Sequence, residues 1–118
     1  MQEITLDIAS LDGTVQPQNC KIKRMYNFGS ATRDPNAAIA HQDEVAKSGI
    51  FIATDVPAPR IYPIGVHALE MGNEVFVQSN RTSGEVEIVI YVSDQVYVGV
   101  GSDHTDRALE TFSIPGSK

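Results

Sequence analysis

The sequence predicts a single α+β domain, with a β-rich mixed or antiparallel sheet and one main helix. Three observations support this prediction. Several short segments alternate apolar and polar residues between turn signals, only one segment has apolar residues at helical spacing, and 118 residues provide for one hydrophobic core. We therefore expect one domain over residues 1–118.

The first elements are predicted to be strands. Residues 4–8 alternate apolar and polar side chains, as a half-buried strand does. Asp12-Gly13 is a turn signal and predicts a hairpin into Thr14-Val15. Residues 21–28 alternate again and predict a further strand.

One helix is predicted over residues 35–48. Asp34 can cap it, because a carboxylate there accepts from the unpaired amides of the first turn, and Pro35 suits the first helical position. Gly49 falls where a left-handed residue ends a helix. The apolar stripe at spacings of three and four includes Ala38, Ile39, Val45 and Ala46.

The next segments are predicted to be less regular. Three prolines between residues 55 and 63 predict an extended, irregular connection. Residues 75–77 follow the turn signal Gly72-Asn73 and predict a short strand.

Two strongly β-prone segments, residues 85–92 and 96–101, predict a hairpin whose register depends on its loop. A two-residue loop would pair Ile88 with Gly99. A three-residue loop pairs Ile90 with Val98 and Ile88 with Val100, and it places all the branched residues on one face. We therefore predict the three-residue loop, residues 93–95.

The predicted register gathers three carboxylates on the other face. Glu85 lies across from Asp103, and Glu87 lies across from Gly101. Neighbouring negative charges repel each other unless a proton or a cation compensates them. Oxygen ligands favour Mg²⁺, Mn²⁺ or Ca²⁺ over Zn²⁺. A solvated acidic strand face is the alternative interpretation of the same residues.

The segments 82–87 and 98–107, TSGEVE and VGVGSDHTDR, resemble an uncharacterised bacterial family related to the fumarylacetoacetate hydrolase superfamily. The resemblance implies part of that superfamily's β-roll fold. It also implies that an Mg²⁺ or Mn²⁺ ion is bound by Glu85 and Glu87, as the Glu-x-Glu pair, and by Asp103, which opens a motif that reads Asp-x-Ser-x-Arg in the superfamily.

Within that motif Thr105 stands where the superfamily has serine, and Arg107 matches its arginine. Both are candidates for contact with the metal ligands or the substrate. His104, next to Asp103, is a candidate for a hydrogen bond to a metal ligand. The alternative for His104 is a hydrogen bond that only holds the end of the strand.

The resemblance implies a water-activating pair as well. Some superfamily enzymes use a His and a Glu three residues later on a lid helix, and His41 and Glu44 have this spacing. Residues at i and i+3 share a helix face, so the carboxylate can orient the imidazole as a general base. A solvent-exposed histidine near an ordinary acidic residue is the alternative.

Members of the resembled family continue beyond the position of Lys118, and the later segment supplies a lysine and a threonine of the substrate pocket in many enzymes. We therefore expect a domain that corresponds to the N-terminal half, and Lys118 is not assigned to the pocket lysine. A shortened gene, an engineered fragment and a second copy in place of the missing half remain open. A homo-oligomer, with a dimer favoured, is expected because exposed strand edges and apolar surface tend to be covered.

Charge and composition exclude some partners. The net charge of −6 argues against nucleic acid, and no apolar segment has the length of a membrane span. The first residues lack the features of a signal peptide, and Cys20 is the only cysteine, so a cytoplasmic location is expected.

Two classes of function remain open. The first is a divalent-metal-dependent hydrolase or lyase-like domain, including decarboxylases, that acts on or binds a small 2-oxo acid or acylpyruvate-type compound. The second is a non-catalytic shortened relative that forms a homo-oligomer and binds a small molecule or a protein partner.

Overall fold

The computed structural model describes residues 1–50 and 59–118, and these residues form an α+β structure. They contain three two-stranded antiparallel sheets, one main helix and a short second helix. The elements in chain order are β1 (Gln2–Ala9), β2 (Val15–Ile22), β3 (Met25–Gly29), α1 (Pro35–Lys47), β4 (Arg60–Ile64), β5 (Thr82–Val92), β6 (Val96–Asp106) and α2 (Arg107–Glu110). Short 3₁₀ turns lie at Val66–Ala68 and Pro115–Ser117.

The predicted opening hairpin is confirmed, since β1 pairs antiparallel with β2 around the Asp12-Gly13 turn. Asp12 stabilises this turn because its Oδ1 accepts from the amide and the hydroxyl of Thr14, at 2.9 and 2.7 Å. Gly13 has a φ of 86°, which a residue without a Cβ adopts at little cost.

The prediction of one strand over residues 21–28 is wrong in its bounds. The chain leaves β2 after Ile22, which pairs with Gln2, and enters β3 at Met25, which pairs with Ile64 in a different sheet. Alternation along the sequence does not show this break, because side chains alternate in both strands and only the pairing partner changes.

The irregular connection predicted for residues 55–63 is wrong at its end, where Arg60–Ile64 form β4; residues 55–58 lie outside the described residues. Pro63, opposite Tyr26, is compatible with β4 because each strand of a two-stranded sheet has an edge that needs no donor.

The helix α1 is confirmed and ends one residue earlier than predicted, with Ser48 after its last residue. Asp34 Oδ1 accepts from the Asn36 amide at 2.9 Å and so caps the first turn. Gly49 has the predicted left-handed conformation, with a φ of 84°. No described helix has the length and apolar character to cross a membrane.

The strand predicted at residues 75–77 is wrong. These residues form no strand, and Phe76 is 90% exposed. A strand requires a partner, and no segment within residues 1–50 and 59–118 pairs with this one. The strand-like sequence of residues 75–77 was therefore not sufficient to predict a strand.

The register predicted for β5 and β6 is confirmed, with Val92 opposite Val96, Ile90 opposite Val98 and Glu85 opposite Asp103. The hairpin therefore has two different faces. The carboxylate face carries Glu85, Glu87 and Asp103. The apolar face is formed by Val86, Ile88, Ile90, Val92, Val96, Val98 and Val100.

Candidate functional site

The site begins with the pairing of β5 and β6. Because strand side chains alternate, Glu85 and Glu87 point to the same side of the hairpin, and Asp103 joins them from directly opposite Glu85. Side chains that face each other across an antiparallel pair have Cβ atoms roughly 4.5–5.5 Å apart. Gly101, opposite Glu87, adds no side chain of its own.

The pKa of Glu87 shows that these charges act on each other. Partial burial raises it above the ordinary value, and the negative charges of Asp103 and Glu85 raise it further, while the positive charge of Lys118 acts in the opposite direction. Within the described residues the Glu87 carboxylate has no hydrogen-bond or ion-pair partner. Glu87 is therefore the one of the three carboxylates that has no protein partner within the described residues, and it is exposed to solvent.

Asp103 is held by two donors. Its Oδ2 accepts from Lys118 Nζ at 2.7 Å and from Asn27 Nδ2 at 2.9 Å. The Lys118 and Asp103 side chains are only 8% and 13% exposed. Lys118 also donates to Oγ1 of the fully buried Thr105 at 2.7 Å. A nearly buried polar cluster therefore fixes the Asp103 end of the carboxylate face.

Glu85 is held by Arg107. The guanidinium Nη2 contacts Glu85 Oε1 at 2.7 Å, Nε donates to Ser83 Oγ at 2.7 Å, and Nη1 contacts Glu110 Oε2 at 3.1 Å. Burial alone would lower the pKa of Arg107, but the hydrogen bonds and charges of Glu85 and Glu110 outweigh it and raise that pKa. Arg107 therefore ties β5 to α2.

The three carboxylates share a face without forming a closed ligand set. Among residues 1–50 and 59–118, no three or more His, Cys, Asp or Glu side chains are grouped so that they could hold a metal ion. A cation that entered between them would have to compete with the ammonium on Asp103 and the guanidinium on Glu85. Their oxygen donors suit Mg²⁺ or Mn²⁺ in kind.

A cavity of about 260 Å³ connects the carboxylate face to α1. Glu87 and His41 both line it, so the structure brings His41 to the same space as one of the predicted ligands. The rest of the lining comes from the end of β3, the following loop and the first turn of α1: Phe28, Ser30, Ala31, Thr32, Ala37 and Ala38.

Two other predicted site residues lie outside this space. Glu44 is exposed on α1, is not part of the cavity lining, and forms no hydrogen bond with His41 within the described part of the chain. His104 lies across from Gly84, on the opposite side of the hairpin from Asp103, and its Nδ1 is 3.2 Å from Ser102 Oγ. The structure therefore does not bring His104 to the carboxylates.

Sequence reasoning missed two contacts. Asn27 gave no signal, because it lies in β3 and reaches Asp103 only through the fold, 76 residues along the chain. Lys118 was left unassigned because of its terminal position, yet its ammonium lies between Asp103 and Thr105. The available signal was the lysine that the resemblance implies for the substrate pocket.

The fold and the site define an α+β domain with a hairpin that carries acidic residues on one face and apolar residues on the other. Residues 28–118 match the family described as Protein of unknown function (DUF2848), and the chain belongs to this family. Neither the curated proteins nor the solved structures include a match to the chain. The family match covers the three carboxylates, His41, Arg107 and Lys118, whereas Asn27 lies one residue before it.

Proposed function

We propose that the carboxylate face binds a divalent cation, Mg²⁺ or Mn²⁺, and that the domain acts on or binds a small 2-oxo acid or acylpyruvate-type compound. The observation that carries the proposal is the pairing that places Glu85, Glu87 and Asp103 on one face of the hairpin. The raised pKa of Glu87, caused by partial burial and by the charges of Asp103 and Glu85, supports it. A site that penalises its own negative charge favours a cation.

The residues around the carboxylates support an anionic substrate. Lys118 and Arg107 place two positive charges beside Asp103 and Glu85. If a divalent cation takes over the carboxylates, these two side chains become available to the carboxylate of a 2-oxo acid. Arg107 can bind such a group with two parallel hydrogen bonds, whereas Lys118 provides a compact charge.

A bound divalent ion supplies Lewis-acid stabilisation for the enolate that forms when a carbon–carbon or carbon–carboxylate bond breaks. His41 lies across the cavity from the carboxylate face and would take a proton from water where hydrolysis is the outcome. Glu44 forms no hydrogen bond with His41 in the described part of the chain, so it would orient the imidazole only after its side chain turned toward His41 on the same helix. The resemblance to fumarylacetoacetate hydrolase supports these roles and a β-roll fold for the domain.

Calorimetric titration with Mn²⁺ tests the proposal. We expect binding to the natural sequence, and saturation at 100 times the dissociation constant would stabilise the fold by about 2.7 kcal/mol. Glu87→Gln removes the unpaired carboxylate and is expected to abolish binding. Glu3→Gln is the matched control, because Glu3 is an exposed strand carboxylate whose partner is Lys21. Equal binding by both variants would contradict the proposal.

A non-catalytic small-molecule-binding or protein-binding module is the second candidate. The favouring observation is that Lys118 and Arg107 already compensate Asp103 and Glu85. Under this alternative no divalent ion shifts the melting temperature. Turnover of an acylpyruvate or of oxaloacetate that disappears in Glu87→Gln would instead support the enzyme.

A further inference from the structure

A second cavity lies where the chain passes from β2 to β3. Its volume is about 260 Å³, and it shares no lining residue with the cavity beside Glu87. Two cationic residues, Lys23 and Arg24, line it together with a largely apolar wall. That wall is formed by Met25, Tyr26, Pro63, Ile64, Gly65 and Val66. The cavity therefore offers positive charge and apolar surface to the same ligand.

The break between β2 and β3 places the two cations at this cavity. Because β2 ends at Ile22 and β3 begins at Met25, Lys23 and Arg24 form the link between two different sheets. Met25 lies opposite Ile64, so the chain enters β3 at the same end of the sheet at which it leaves β4. The pairing of β3 with β4 thus holds the cationic link beside the apolar wall.

Neither cation has a protein partner. Within residues 1–50 and 59–118, Lys23 and Arg24 form no ion pair, whereas the neighbouring Lys21 pairs with Glu3 at 3.4 Å. The chain has fifteen acidic residues and nine basic ones, so a shortage of carboxylates does not explain this. The negative charges elsewhere in the chain are screened over about 8 Å at physiological ionic strength. The local charge of the cavity therefore favours an anion.

Two adjacent cations of different kinds suit a phosphate monoester. Such a group carries a charge of about −1.5 to −2 at pH 7, which two positive charges balance, whereas a carboxylate carries one. A guanidinium binds two phosphate oxygens at once, and an ammonium adds a compact charge. The cavity also has room for an organic part, because an apolar cavity of about 150 Å³ already holds benzene.

We infer that the cavity at the β2–β3 link binds a small organic phosphate monoester. Lys23 and Arg24 bind the phosphate, and the organic part packs against Tyr26 and Ile64. The inference does not depend on the proposed cation site, because the two cavities have no lining residue in common.

Titration of the ¹⁵N-labelled chain with phenyl phosphate, followed by NMR, tests the inference. We expect saturable shifts of the Met25, Ile64 and Gly65 amides, with a dissociation constant on the order of 1 mM. Arg24→Gln removes a charge-assisted hydrogen bond and is expected to weaken binding by at least about 10-fold. Arg33→Gln is the matched control, because Arg33 is an exposed arginine outside this cavity and the change in net charge is the same.

Two further probes separate the phosphate from the organic part. Inorganic phosphate lacks the apolar part and benzoate lacks the second negative charge, so each should bind at least about 10-fold more weakly than phenyl phosphate. The dispersion of the amide signals shows whether each variant folds. If Arg24→Gln does not fold, Lys23→Gln removes the neighbouring charge and should weaken binding by a similar factor.

Three results would overturn the inference. The first is the absence of saturable shifts at the cavity amides up to about 20 mM phenyl phosphate. The second is equal binding by Arg24→Gln, or by Lys23→Gln in its place, and by Arg33→Gln. The third is binding of inorganic phosphate or benzoate as tight as that of phenyl phosphate.

Discussion

Replacing Lys118 with methionine is expected to destabilise the fold by about 3 kcal/mol. The substitution keeps an unbranched side chain but removes the ammonium that donates to Asp103 and Thr105. The charge-assisted bond to Asp103 alone contributes about 1.5–3 kcal/mol.

The expected loss of unfolding free energy is larger than the contribution of that bond, because Asp103 keeps its negative charge without its partner. Removal of one partner from a buried ion pair costs about 3–5 kcal/mol, since an uncompensated charge remains in a poorly solvated place. The side chains of Lys118 and Asp103 are only 8% and 13% exposed, so this estimate applies. Asn27 still donates to Asp103, which places the expected loss at the lower end.

Urea denaturation at neutral pH measures the free energy of unfolding. Lys21→Met is the matched control, because Lys21 pairs with Glu3 at 3.4 Å with both side chains about two-thirds exposed. Such an exposed pair contributes about 1 kcal/mol or less. Equal losses for Lys118→Met and Lys21→Met would refute the burial argument. Adding Asp103→Asn to Lys118→Met should recover part of the loss, because no charge is then stranded.

Three further predictions follow from the same contacts. Glu87→Gln should raise the free energy of unfolding by up to about 1 kcal/mol at pH 7. Because the pKa of Glu87 is raised in the folded state, the natural sequence loses stability as the pH rises through that pKa. The difference in unfolding free energy between Glu87→Gln and the natural sequence should therefore vanish below pH 4.5, which urea titrations at several pH values measure. Thr105→Val should lower the free energy of unfolding, measured by thermal unfolding, by about 1–3 kcal/mol, because it leaves the buried ammonium of Lys118 without one acceptor. A smaller loss than in an exposed Thr14→Val control would contradict this. Gly49→Ala should cost about 1 kcal/mol in the same assay because of its positive φ, whereas Gly99→Ala, with open space around its Cβ, should cost less; the reverse order would contradict the backbone argument.

The β5–β6 register could be predicted because two local constraints agree. A period of two requires the branched residues on one face, and only a three-residue loop places Ile90 beside Val98. The cap of α1 was predictable for the same reason, since Asp34 acts within its own turn. Both features depend on residues that are close in sequence.

The contacts that complete the site depend on distant residues. Asn27 and Lys118 meet at one oxygen of Asp103 although β3 and the chain end are far apart in sequence. The pairing of strands likewise depends on distant residues. Residues 75–77 have the composition of a strand but find no partner in the described parts of the chain, whereas Arg60–Ile64 contain a proline and do pair. Strand propensity describes a suitable surface, and the tertiary structure decides whether it is used.

The loop Ser93–Asp94–Gln95 sets the chemistry of both sides of the hairpin at once. One inserted residue that shifted the pairing by a single position would turn every β6 side chain over. Asp103 would then leave its acidic neighbours, and Val98 and Val100 would take its side. The length of this solvent-exposed loop therefore keeps the acidic face and the apolar face on opposite sides of the hairpin, and a change there would mix the two.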